Sequence, residues 1–304
     1  MTNRSASWGF VFVALSAILF GSIGVTTRGI FAVGPTNALS ITLLRALIAL
    51  PAIFAIGIFI LRRKLFAIRT ADLRLMILAG LMMALYQVTF VIAVRLVNVI
   101  IATLVTMCTV PIFAALFSSV LLRERLHRNI WLAMACELVN VVLLVGLQPI
   151  SDLGTDIWLG IGLALITALG SALFQICGRM LSNQYHPLQT LNVFFFVAAL
   201  VLLPITLLNG FMSEYPPTGW LLFLHLGLGI SVLGYGFLML GLETTPATIA
   251  TIIGLLEPLT GTVLAALLFS EHLDALGLFG AVLLLAAMVI VFRTNRQVVE
   301  AMIE

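Results

Sequence analysis

The sequence predicts an all-α polytopic membrane protein, with ten transmembrane helices as two inverted five-helix repeats around a central cavity. Three observations lead there. Of 304 residues, 62% are apolar and only 9% are charged, and the mean hydropathy is +1.23. The apolar residues fall in long continuous runs, where a transmembrane barrel would show short alternating segments. The second half of the chain also echoes the first. A water-soluble fold of this size needs far more polar residues to clothe its surface, which excludes an ordinary cytosolic enzyme, a disordered chain and a nucleic-acid binder.

The hydrocarbon core of a bilayer takes about 20 helical residues to cross. Apolar runs between polar or Gly/Pro breaks place the spans at 8–27, 39–61, 73–94, 99–122, 129–147, 157–178, 187–208, 219–242, 246–269 and 276–292. The first run is too long for a signal peptide and lacks an A-x-A cleavage site, so it reads as a retained span. Connections are short and leave no separate soluble domain. Cys108, Cys136 and Cys177 all lie inside apolar runs, without metal-ligand or disulfide-framework spacing, and read as small buried hydrophobes.

Basic residues flanking spans prefer the cytoplasm. With the N-terminus inside, twelve of the fifteen Lys and Arg residues fall on the cytoplasmic side, and only Arg28 and Arg95 fall outside. Arg45 lies within a span. Both termini are then cytoplasmic, and an odd number of spans would spoil the asymmetry. The expected location is the cell inner (plasma) membrane.

Pro111 and Glu124 lie thirteen residues apart, as do Pro258 and Glu271, a shift of 147. At that shift Gly80 matches Gly227, Phe90 matches Phe237 and Leu126 matches Leu273. The chain therefore divides into residues 1–148 and 149–304. Five spans per unit is odd, so the second unit must enter the membrane from the opposite side. Inverted repeats are a common architecture of secondary transporters, with the substrate site near the midplane where the units meet.

Ten short spans, the 5+5 duplication and the Pro-x12-Glu unit closing spans four and nine resemble the EamA type of the drug/metabolite transporter superfamily. The resemblance covers essentially the whole chain. Its most specific pieces are Leu121-Leu122-Arg123-Glu124-Arg125-Leu126 and Leu267-Leu268-Phe269-Ser270-Glu271-His272-Leu273. It implies movement of small metabolites, most often export from the bacterial cytoplasm. Within that type the chain is most similar to YddG-type exporters of aromatic and other hydrophobic amino acids.

Polar side chains inside a bilayer face partner helices or a cavity. The tenth span has no charged, amide or hydroxyl side chain and reads as peripheral, as does the fifth by repeat symmetry. The pathway then falls to the others. Thr167, Ser171 and Gln175 form one helical stripe in span six. Tyr86, Gln87 and Phe90 cluster in span three, and Ser231 and Tyr235 lie four apart in span eight. Span four contributes Thr103, Thr106 and Thr109, and span nine Thr248, Thr251 and Glu257. The combined stripes point to a cavity, although single hydroxyls commonly bond helix to helix or back to their own turn. The candidate substrate-binding set is Tyr86, Gln87, Phe90, Thr106, Ser171, Gln175, Tyr235 and Glu257. Phe174 and Phe237 read more readily as core or lipid-facing.

Pro111 and Pro258 each fall about twelve residues into their spans and break a backbone bond there, so both are candidate hinges. Glu257 is a candidate for proton exchange or for contact with a substrate ammonium. Arg45 has a carboxylate substrate as one partner, but an ion pair within the protein or outward snorkelling is the stronger expectation. Glu137, Glu124 and Glu271 read as structural.

An aromatic cavity with sparse amides and hydroxyls suits an amphiphilic solute and not a polyphosphate, which wants clustered Arg or Lys. The expected function is export of small aromatic, hydrophobic or neutral amino acids by alternating access. The alternatives are export of drug-like cations or other metabolites, or flipping of a lipid-linked sugar. No G-x-x-x-x-G-K-[ST] motif is present to use ATP, and neither H-E-x-x-H nor a close intramembrane Asp pair supports an enzyme. No cofactor, metal or nucleic-acid partner is expected. The expected partners are the small-molecule cargo and the lipid bilayer, with proton coupling open and the chain a monomer or weak homodimer.

Overall fold

The structure, a computed structural model, describes residues 6–122, 135, 156–254 and 256–269. Every regular element among them is helical. Helix α1 spans Ala6–Val33 and α2 spans Ala38–Leu61. Asn37 caps α2, its side chain accepting from the Ser40 N–H at 2.8 Å, one of the orphan donors of a helix start. A 3₁₀ turn over Arg62–Phe66 leads to α3, Thr70–Phe117, which ends in a wide π turn at Ser118–Leu122. Helix α4 is Ile157–Ser182 and α5 is Pro187–Leu208. His186 starts α5 with a reciprocal cap: its ring nitrogen accepts from Leu188 N–H, and Gln189 Oε1 accepts from His186 N–H. Pro187 follows where a missing N–H costs nothing. Helix α6, Pro217–Leu242, contains a π-helical stretch at His225–Gly234, and α7 (Ala247–Gly254) and α8 (Leu256–Phe269) follow.

Helix α3 carries 48 residues, about 72 Å if straight, more than twice the hydrocarbon thickness. Its contacts show that it doubles back. Thr89 Oγ1 bonds Thr167 Oγ1 at 2.8 Å, and Thr106 Oγ1 donates to the Ala164 carbonyl at 3.3 Å. Thr167 and Ala164 sit about one turn apart on α4, whereas a straight helix would separate Thr89 from Thr106 by about 25 Å. The reversal lies near Val97 and Ala102, which pack with Ala93 and Ala164 in one buried cluster. Gly160 makes this approach possible: a Cβ there would meet Val97 Cγ1 at 2.3 Å. The hairpin thus supplies spans three and four, with almost no residues spent on the turn.

Among the described residues, seven helical segments are long and apolar enough to cross a membrane, and Ile249–Gly261 is a shorter apolar helix. They fall on expected spans one to four and six to nine. The fifth span (apart from Ala135) and the tenth lie outside the described residues, as do Glu124, Glu137 and Glu271. Large apolar side chains such as Phe59 and Leu208 (87% exposed) point away from the bundle, as lipid contact demands. The main core joins Met76 and Met83 of α3, Phe174 and Cys177 of α4, Phe194 and Phe195 of α5, and Tyr235 and Leu242 of α6.

That core closes one end of the bundle. There Arg179 donates to the carbonyls of Leu242 and Glu243, and Ser182 Oγ to Leu242 O at 3.0 Å. At the same end, Tyr185 donates to Asp72 at 2.6 Å, and Gln189 Nε2 to the Lys64 carbonyl at 2.7 Å. The first turns of α1 pack there too, with Gly9 and Gly241 letting two backbones touch.

Candidate functional site

A cavity of about 810 Å³ opens above this closed end. It runs from Val13, Tyr235 and Leu238 at its floor to Arg28, Phe31 and Ala38 toward the opposite end. Its lining comes from α1, α2, both arms of α3, α4, α6, α7 and the start of α8.

The floor is aromatic. The phenol oxygens of Tyr86 and Tyr235 lie 2.6 Å apart, joining the first arm of α3 to α6. Phe20 packs on the Tyr235 ring at 4.8 Å between centroids, Phe174 at 5.9 Å and Phe195 at 5.4 Å. Phe174 also touches the Tyr86 ring at 6.0 Å. Below it Phe194 and Phe195 are fully buried, so the floor is a packed wall. The π-helical stretch ends at Tyr235, whose backbone N–H reaches the Ile230 carbonyl five residues back. Such wide turns recur at functional sites because they re-aim the side chains around them.

Besides Arg28 near the opposite end, the walls hold two opposite charges. Arg45 of α2 is buried and faces the cavity, with Nη2 donating to Gln87 Oε1 at 2.8 Å. Gln87 Nε2 in turn donates to the Met83 carbonyl at 3.1 Å, which fixes the amide with its oxygen toward the guanidinium. Glu257 lines the same cavity and attracts Arg45 electrostatically. Among the described residues no carboxylate lies within ion-pair distance of Arg45, and its Nε is buried without a partner. The expected protein ion pair is therefore absent among these residues. Snorkelling is absent as well, because the side chain is buried at the cavity and does not reach the bundle end.

All eight candidate binding residues fall on this one lining: Tyr86, Gln87, Phe90, Thr106, Ser171, Gln175, Tyr235 and Glu257. Thr167 completes the α4 stripe, and Thr103, Thr251 and Pro111 also line the cavity. Phe174 belongs to the main core, as expected, and also lines the cavity. Four other residues lie elsewhere. Thr109 is off the lining and donates to the Val105 carbonyl of its own helix. Pro258 is not on the lining. Phe237 stacks on Phe12 at 5.9 Å. Ser231 is buried and donates to the Leu226 carbonyl five residues back, because the π turn breaks the four-residue step that would aim it with Tyr235. The sequence reading passed over Thr42 on the lining. Its position three before Arg45 on one helix face was the available signal.

The family profile described as the EamA-like transporter family matches twice, over residues 7–146 and 158–293. The chain belongs to the EamA-like transporter family. It is a multi-pass membrane protein of a transporter family, not of an enzyme family. It is similar to the pseudopaline exporter CntI of Pseudomonas aeruginosa, 27% identical over 246 residues that cover 81% of this chain and 84% of that protein. An uncharacterized transporter of Bacillus subtilis, YwfM, is 25% identical over 223 residues, covering 73% of this chain and 74% of its own. An uncharacterized transporter of Clostridium kluyveri is 21% identical across 95% of this chain and 94% of its own. None of these three is named as an amino-acid exporter. A crystal structure with 17% identity superposes with a TM-score of 0.82, covering 95% of this chain and 99% of that one, and shares the fold.

Proposed function

We propose that this EamA-like transporter exports small amino acids with aromatic, hydrophobic or neutral side chains, by alternating access through the cavity. The observation that carries the reading is a buried cation and an anion, Arg45 and Glu257, on the walls of one apolar aromatic chamber whose other cation, Arg28, is exposed toward the opposite end. A polyphosphate would want several cations. An apolar solute would leave both charges uncompensated, and a buried charge without a partner costs several kcal/mol. A zwitterion with an apolar side chain meets each requirement, its side chain against Tyr86, Phe174 and Tyr235 and its charged end against the polar wall.

The two profile matches support reading the chain as a duplicated unit, with residues 1–148 and 149–304 as its halves. In that reading the ten spans form inverted repeats with cytoplasmic termini, and the cavity in this structure faces outward. The Tyr86–Tyr235 contact then bars the cytoplasmic side, and flexing at Pro111 and Pro258 accompanies the exchange of conformations. Glu257 carries coupling by competition: a carboxylate that takes either a proton or a substrate ammonium exchanges one for the other, and that exchange is antiport.

The test is flux. Purified protein in liposomes moves labelled phenylalanine, threonine or methionine down a gradient, and an imposed pH gradient accelerates it in the wild type but not in Glu257→Gln. Equal pH responses in the two proteins would remove the proton role. Flat flux for every amino acid, with robust movement of another metabolite, would overturn the cargo. One observation favours a second cargo class. A chamber of about 810 Å³ exceeds the volume of a single amino acid, and one relative is named a pseudopaline exporter. A larger metabolite bearing both a carboxylate and an amine fits the same walls.

A further inference from the structure

We propose that Arg45, held by Gln87, is the carboxylate-recognition subsite of the cavity, and that it selects cargo bearing one free carboxylate. The inference rests on the amino-acid reading and deepens it by assigning the end of the molecule that α2 holds. An arginine presents five N–H donors in a rigid fork matched to a carboxylate. In this structure one of those donors reaches a neutral amide oxygen, and no carboxylate among the described residues reaches the fork. The side chain is nine-tenths buried (9% exposed), so water cannot serve as its full counter-charge. Its geometry is built in advance: Met83 O orients Gln87, and Gln87 orients the guanidinium. Glu257 attracts it electrostatically from beyond ion-pair reach and faces the same chamber.

A guanidinium with no carboxylate partner among the described residues, facing the same chamber as a carboxyl, is a holder for the two ends of a zwitterion. Arg45 is the one cation that α2 places on the lining, with Arg28 of α1 exposed toward the opposite end, and a lone guanidinium matches a monocarboxylate better than a phosphate dianion. Thr42, one turn earlier on the same face, also lines the cavity but donates its hydroxyl proton to the Ala38 carbonyl at 2.8 Å, so the recognition falls to the guanidinium. Gln87 is a positioning residue in this scheme, since it acts through the guanidinium.

The experiment compares L-phenylalanine, L-phenylalaninamide and 3-phenylpropanoate, by calorimetric binding to the full-length protein in micelles and by competition against phenylalanine flux in liposomes. The amide keeps the ammonium and ring and lacks only the carboxylate charge. In the wild type the acid binds about tenfold or more tightly than the amide, the span of one charge-assisted hydrogen bond. Arg45→Gln brings the ratio to about one by weakening the acid alone, and unchanged amide binding shows that the variant is folded. Arg45→Lys keeps the charge but not the fork and falls between the two. Should Arg45→Gln not fold, Arg45→Lys decides: a reduced ratio supports the subsite and an unchanged ratio overturns it. Unchanged acid preference in Arg45→Gln, with wild-type amino-acid flux intact, overturns the subsite and leaves export standing. If no amino acid is carried but 3-phenylpropanoate binding is lost in Arg45→Gln, export falls and the subsite stands.

Discussion

The Tyr86–Tyr235 contact makes a quantitative prediction about the closed floor. Each hydroxyl has the other as a partner at 2.6 Å, within a ring of Phe20, Phe174 and Phe195. A hydrogen bond of this kind is worth about 1 kcal/mol net. If it forms only while the floor is shut, removing it shifts the open–shut equilibrium by about fivefold toward open. The native thiol of Cys177 lies buried in the same core, one turn beyond Phe174, and so reports on opening. With Cys108 and Cys136 replaced by alanine, the alkylation rate of Cys177 rises about fivefold in Tyr86→Phe. It rises by a similar factor in Tyr235→Phe. The double variant matches the singles, because one bond can be broken only once, and the cycle yields a coupling near 1 kcal/mol. Rates that multiply in the double variant would show that the hydroxyls act separately, and rates equal to wild type would show that the contact is no part of the barrier.

Two other outcomes follow from the packing. Gly160→Leu forces the reversal of α3 away from α4, since even a Cβ at this position would come within 2.3 Å of Val97, so the yield of monodisperse protein in detergent collapses while Gly162→Leu, with open space at its Cβ, leaves it intact. Outside the spans, the hydrogen bond to Asp72 raises the Tyr185 phenol above its ordinary value of 10.0. A raised folded value means that the contact's stabilisation is fully present at neutral pH and disappears as pH climbs through the raised value. The melting temperature of Tyr185→Phe therefore falls below wild type at pH 7, and the gap narrows at strongly alkaline pH.

The membrane class was legible from composition, and the cavity from periodicity. Thr167, Ser171 and Gln175 recur every four residues because one helix face must serve the chamber while the rest meets lipid or core, and the structure lines the cavity with all three. Tyr86 and Phe90 were legible for the same reason. Periodicity failed where the helix changed pitch. The four-residue spacing of Ser231 and Tyr235 assumes α geometry, but the π stretch sends the serine back to Leu226. Partners distant in the chain were invisible as well. No local pattern announces that Gln87 receives the Arg45 guanidinium, 42 residues away; among the described residues this amide stands where an ion pair was the natural expectation. The sharp reversal inside α3 was legible only as a short gap between spans, because its cause is the close approach permitted by Gly160 on another helix.

The central claim is that cargo passes through this chamber, and a single engineered thiol addresses it. Ser171 sits on the lining between Thr167 and Gln175, so Ser171→Cys, made with Cys108, Cys136 and Cys177 replaced by alanine, places the only thiol in the chamber. A membrane-impermeant thiol reagent applied from the open side should modify it and stop phenylalanine flux, and saturating phenylalanine should slow the modification. Complete modification with undiminished flux would contradict the account.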